Sequence, residues 1–307
     1  MPITEESQVV SIILNFIYCS FADKSLLLQP DLQIMRVLIQ LTYLALILAL
    51  ASCGGINKVL KSTDTDYKYE AAKQYFMDGK YENANLLIND VLASLKGSER
   101  GDESLFLLGM CKYYKGDMVT ANDYFRKYYT TYTSGVHMEE AYFLAGKALY
   151  LSTPGPRLDQ TDTYLAVTEF QNFLETFPDS KFAPEARNLI FELQDKLVEK
   201  EYLSAQLYYN LGEYFNNCTM GGSNYEACII TAQNAIKDYP YTKRKEDFSI
   251  LILRAKYDLA ARSVASKMQE RYNDAIDEYY GFINEFPKSK YLSEAEKIYN
   301  KAKEAIK

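Results

Sequence analysis

Residues 71–91 read AAKQYFMDGKYENANLLINDV, and residues 108–128 read LGMCKYYKGDMVTANDYFRKY. Laid side by side, they share one pattern. A small residue (Ala72, Gly109) precedes a glycine by seven positions (Gly79, Gly116), and a second small residue follows five later (Ala84, Ala121). Large residues then fall at helical spacing: Ile88 and Val91 in the first stretch, Phe125 and Tyr128 in the second. The glycine ends one helix and permits a tight turn, and the small residues let two helices approach closely. No stretch from Asp64 onward alternates convincingly as a strand does.

Three later segments keep the second helix of this unit and add a closing proline. AVTEFQNFLETFPDS carries Ala166, Phe170, Phe173 and Pro178, and YEACIITAQNAIKDYP carries Tyr225, Cys228, Ala232, Ala235 and Pro240. YNDAIDEYYGFINEFP carries Tyr272, Ala275, Tyr279, Phe282 and Pro287. In all three, the small residue lies twelve positions before the proline. The pattern resembles the tetratricopeptide repeat, a helix-turn-helix unit of about 34 residues. First helices of the later repeats are predicted at 138–151, near 195–217 and near 248–269, and a last amphipathic helix at 291–306 would cap the array. The resemblance implies an all-α superhelix of about five helix pairs plus that capping helix. Insertions at 152–162 (STPGPRLDQTD) and 216–224 (NNCTMGGSN) read as loops. The repeat's usual Trp is absent, and Tyr and Phe fill large positions instead.

The composition narrows the chemistry. A single histidine, His137, rules out His-rich zinc sites, and a Ser-His-Asp hydrolase would hang on it alone. It is read as a solvated loop residue. A formal net charge of −7 gives no general pull toward phosphate backbones, so nucleic acid is not an expected partner. The five cysteines (Cys19, Cys53, Cys111, Cys218, Cys228) form no CxxC pair, and there is no GxxxxGK[ST] phosphate loop. No metal site, cofactor or catalytic residue is expected, and the chain is read as not an enzyme. Cys218 and Cys228 flank the second insertion and form a bridge, or else Cys228 is a compact hydrophobe at the small position of its helix. Cys111 reads as core.

The N-terminus reads as an address. Residues 37–51, VLIQLTYLALILALA, are apolar except for Gln40 and Thr42, follow Arg36, and are short for a membrane span of about 20 residues. The ending LASC, before Gly54, resembles the lipobox of bacterial lipoproteins. That resemblance implies cleavage before Cys53 and fatty acylation (palmitate) there, and two or more acyl chains anchor stably where one would be marginal. Residues 1–34 fit a signal peptide poorly, and Met35-Arg36 would make an ordinary start. The expected division is therefore 1–52 as upstream extension and signal peptide, 53–63 as lipidated linker, and 64–307 as the repeat domain. The residues after the anchor, GGINKVLKST, carry no acid, so the periplasmic side is expected.

A candidate binding face lies on the first helices. Three positions before the small residue stand Tyr69, Phe106 and Phe143, and four after it stand Phe76, Tyr113 and Tyr150. Seven residues are two helical turns, so the six rings share a face. Lys73, Met110 and Lys147 directly follow the small residues and lie beside it. Such a row suits an extended peptide with aromatic side chains and a carboxylate, or else the rings pack neighbouring repeats together.

A lipobox followed by about five such repeats, with YEAAKQYFMDGKYENA in the first and FQNFLETFPDSKFAPEARNLI across the third and fourth, resembles the BamD family of outer-membrane assembly lipoproteins. The resemblance implies a non-enzymatic subunit anchored by lipid to the outer membrane and facing the periplasm. It implies docking on the β-barrel insertase (BamA-like) through the C-terminal repeats. It also implies that the N-terminal repeats bind targeting segments of unfolded outer-membrane proteins. No insertase-contact motif is recognisable in this chain. The second reading is a periplasmic repeat scaffold coordinating envelope or peptidoglycan growth, and a glycan-binding lipoprotein is a third.

Overall fold

The computed structural model describes residues 54–212 and 223–307, with Thr42. Two compact units divide at Lys68/Tyr69. In the first, helix α1 (Gly54–Leu60) occupies part of the segment read as a linker. It is followed by the start of α2 (Thr65–Met77), where Asp64 accepts the backbone N–H of Tyr67 at 3.0 Å and so satisfies an orphan donor.

The second unit is an all-α tetratricopeptide array. After α2 come α3 (Tyr81–Leu95), α4 (Glu99–Tyr114), α5 (Met118–Thr131), α6 (Met138–Ser152), α7 (Thr161–Thr176), α8 (Ala183–Leu211), α9 (Asn224–Asp238), α10 (Lys245–Ala261), α11 (Ala265–Glu285) and α12 (Leu292–Ala305). From α3 on, each helix packs on the next, and α6 on α8, α8 on α10 and α10 on α12 are in contact as well, so first helices lie beside first helices. There is no strand among the described residues. Five helix pairs, α2/α3 to α10/α11, are followed by α12 as the cap.

The small residues sit where the spacing places them. Ala72, Ala84, Ala121, Ala166 and Ala275 are buried. Gly79 and Gly116 take φ of 74° and 80°, a left-handed conformation that side chains with a Cβ disfavour. At Gly109 a Cβ would stand 2.6 Å from the Phe125 ring, and at Gly146 it would stand 2.8 Å from the Phe170 ring. The paired helices therefore approach through the glycine. Apolar burial runs as a chain of local cores rather than one centre. One spans α4 to α8 around Phe125, Phe143, Phe170 and Phe173, the next α8 to α10 around Cys228 and Phe248, and a third α10 to α12 around Phe282 and Ala295.

Two boundaries differ from the spacing. The first helix of the fourth repeat begins at Ala183, not near 195, and runs 29 residues. Pro184 stands in its first turn, where a missing N–H costs nothing, and no Gly or Pro interrupts it before Gly212. The fifth first helix ends at Ala261, and Met268 and Gln269 already belong to α11, because Arg262, Ser263 and Val264 break the helix. In the first insertion only 153–160 is loop, since Thr161 and Asp162 open α7.

Candidate functional site

The structure divides the nine candidate groove residues by depth. Tyr69, Phe106 and Phe143 are only 2%, 6% and 2% exposed. This corrects the expectation that all six rings line one open face. The cause is the next repeat, whose first helix begins with a residue laid over each ring. Arg100 sits 5.2 Å from the Tyr69 centroid, His137 stacks on Phe106 at 4.1 Å, and Phe182 stacks on Phe143 at 4.7 Å. The fourth repeat repeats the arrangement with Arg244 at 4.4 Å over Tyr202. His137 is therefore not a solvated loop residue. Its ring is half-buried on Phe106, and its backbone N–H donates to the Tyr128 hydroxyl at 3.0 Å.

The chain builds these lids locally. Where the second helix closes with a proline, the Ser or Thr two positions on accepts the backbone N–H of the lid residue. Ser180 accepts from Phe182 at 3.0 Å, Thr242 from Arg244 at 3.2 Å, and Ser289 from Tyr291 at 2.9 Å.

Lys73, Phe76, Met110, Tyr113, Lys147 and Tyr150 remain half-buried on α2, α4 and α6. Phe76 lies edge-on to Tyr81 at 5.5 Å, and Tyr81 stacks on Tyr114 at 5.0 Å. Met110, Tyr113 and Tyr150 pack their inner sides on the α4-to-α8 core. The lysines do not stand unpaired. Lys73 meets Glu103 at 2.8 Å and Lys147 meets Glu185 at 2.8 Å, each acid belonging to the next first helix. Tyr150 donates to Glu192 at 2.5 Å, and Tyr69 donates to Glu103.

Burial and the Glu103 carboxylate raise the Tyr69 phenol well above its ordinary value. Burial works against the Glu103 charge, but the bonds from Lys73 and Tyr69 outweigh it and hold that carboxyl low. The bond to Glu185 raises the Lys147 ammonium. Spacing alone did not reveal these three acids, although each lies on the first helix that follows its partner. An incoming carboxylate at Lys73 or Lys147 must displace Glu103 or Glu185, an exchange of one partly exposed pair for another, each worth about 1 kcal/mol or less.

Cys53 and Cys218 lie outside the described residues. Cys228 is a buried free thiol, as is Cys111. No group of His, Cys, Asp or Glu among the described residues is arranged to hold a metal ion, and no described helix is long and apolar enough to cross a membrane.

Comparison with known proteins bears on the same repeats. A search of curated proteins gives no match. A solved structure, the TPR2AB-domain:pHSP90-complex of yeast Sti1, is 15% identical and covers 78% of this chain and 98% of that one. Its TM-score of 0.37 is too low to carry an argument. The profile of the YfiO family, outer membrane lipoproteins, matches residues 62–221, which include α2 to α8 and with them the whole half-buried row. With the repeat array behind that match, the chain belongs to this family of outer membrane lipoproteins, the family of BamD.

Proposed function

We propose that the chain is a non-enzymatic subunit of the outer-membrane β-barrel assembly machine, held to the membrane by lipid on Cys53 and facing the periplasm. It docks on the BamA-like insertase and receives targeting segments of unfolded outer-membrane proteins along Phe76, Met110, Tyr113 and Tyr150, with Lys73 and Lys147 beside them. One observation carries this reading: the family match spans the three first helices on which this row recurs. Half-buried rings suit the task. The inner sides of Tyr113 and Tyr150 are held by the core, so their outer sides offer contact area at low entropic cost. The buried rings Tyr69, Phe106 and Phe143 set the spacing of the row and are not themselves contact residues.

The test is to crosslink the lipidated protein in its own envelope and identify the major adducts by mass spectrometry. Adducts with the insertase and with unfolded barrel proteins support the reading. Adducts confined to cell-wall synthases would replace it with the envelope-growth scaffold.

A further inference from the structure

The first insertion builds a groove that a regular repeat would lack. Loop 153–160 stands against the C-terminal half of α8, and between them lies a groove of about 430 Å³. Pro156 and Arg157 line it from the loop, and Lys200, Leu203, Ser204 and Leu207 line it from the helix. The loop is a formed wall. Gln160 is 1% exposed, and its amide donates to the carbonyls of Gly155 at 2.8 Å and Leu158 at 3.0 Å. Its own oxygen accepts the Thr163 hydroxyl at 2.8 Å. At the near end Thr153 donates to the carbonyl of Tyr150 at 2.7 Å and receives the Lys196 ammonium.

The lining is one-sided in charge. Among the described residues that line it there are two cations and no acid. Asp159, the acid nearest on the loop, is engaged with the backbone N–H of Thr161 at 2.9 Å. The Thr161 side chain, and then that backbone bond, hold its carboxyl below the ordinary range, and Lys200 is the least of the influences on it. Beside the cations are two leucines and a serine hydroxyl.

We propose that this groove is a second peptide site, distinct from the row on α2, α4 and α6, for an extended segment that places a carboxylate beside an apolar side chain. Arg157 and Lys200 take the carboxylate, Leu203 and Leu207 take the apolar neighbour, and Ser204 takes a backbone group. A small inorganic anion would use only the cations.

The test uses the full-length lipidated protein in a non-ionic detergent and a fluorescein-labelled peptide without an aromatic residue, Gly-Ser-Gly-Leu-Ala-Asp, with its carboxylates free. Fluorescence anisotropy gives its affinity, with the neutral Gly-Ser-Gly-Leu-Ala-Asn amide as control. Lys200→Gln and Arg157→Gln are each expected to weaken the acidic peptide about tenfold, the loss of one charged hydrogen bond. Added salt is expected to weaken it further, and Lys288→Gln, at an exposed position between α11 and α12, is expected to leave it unchanged. Leu207→Asp, at an exposed position, brings a like charge into the groove and is expected to abolish binding. Wild-type affinity in Lys200→Gln and Arg157→Gln overturns the proposal, as does equal binding of the neutral peptide. Vesicles of phosphatidylglycerol bound in a Lys200-dependent way, with the peptide not bound, overturn it in favour of a lipid surface.

Discussion

The imidazole of His137 lies flat on the ring of Phe106, with centroids 4.1 Å apart and planes 3° from parallel. The same contact recurs along the array with different chemistry: guanidinium on Tyr69, phenyl on Phe143, guanidinium on Tyr202. What is repeated is a flat group at the start of each first helix, covering the ring of the one before. These lids convert half of the aromatic row into the joints between repeats and leave the other half only partly buried.

Closeness at the glycines makes a paired stability test. Gly109→Ala would set a Cβ 2.6 Å from the fully buried Phe125 ring, which has no free space to move into. The overpacking outweighs the gain in helix propensity, for a net loss of about 1–2 kcal/mol. Gly281, in the interior of α11, meets nothing within 4 Å, so Gly281→Ala is expected to stabilise by up to about 1 kcal/mol. Urea melts of the two variants should move in opposite directions.

Tyr128 joins two repeats through its hydroxyl, which donates to Asp102 and accepts the backbone N–H of His137 at 3.0 Å. Tyr128→Phe keeps the ring and leaves both partners unmatched, at a cost of about 1–3 kcal/mol. Hydrogen exchange should quicken first at the start of α6, where His137 lies.

Alkali should unfold the array. Burial, and then bonds to Glu103, Asp102, Glu169 and Asp258, raise the phenols of Tyr69, Tyr128, Tyr129 and Tyr209, and burial pushes Tyr239 up to about 12. In the unfolded chain these phenols ionise near their ordinary value of about 10. Between the ordinary and raised values the unfolded state binds fewer protons, so stability is intact below about pH 10 and falls as pH rises above it. Phenolate absorbance should show one class of tyrosines titrating reversibly and a second appearing only with loss of helical circular dichroism.

Burial also pushes the thiols of Cys111 and Cys228 up to about 12. Neither is expected to react with iodoacetamide at neutral pH in the folded protein, and both should label at the rate of unfolding. Peptide mapping after a timed pulse measures this.

How much the sequence reveals depends on how far away the deciding partner lies. Ala121 and Gly109 announce a close helix crossing because both partners fall within one repeat, at fixed spacing. The start of α8 was misplaced because its signal, Pro184 in the first turn, follows a closing proline that looks like the end of the previous unit. Phe106 and Tyr113 share a helical face by periodicity, yet one is core and the other half-open. Their difference is decided by His137 in the next repeat, and since the lid varies among Arg, His and Phe it leaves no residue signature. In the sequence the groove beside α8 is visible only as a loop, because what makes it a groove is the side chain of Gln160 turned back on its own backbone.

On the proposed function, the open half of the row, and not the buried half, meets client segments. The most direct measurement is the affinity of the lipidated protein for an extended peptide ending in Phe, compared with Tyr113→Ala, and with Phe106→Ala as the packing control. Circular dichroism and melting establish that each variant is folded. Folded Tyr113→Ala is expected to lose about 2 kcal/mol of binding, roughly 30-fold, with Phe106→Ala losing mainly stability. Wild-type affinity in folded Tyr113→Ala would contradict that reading of the row.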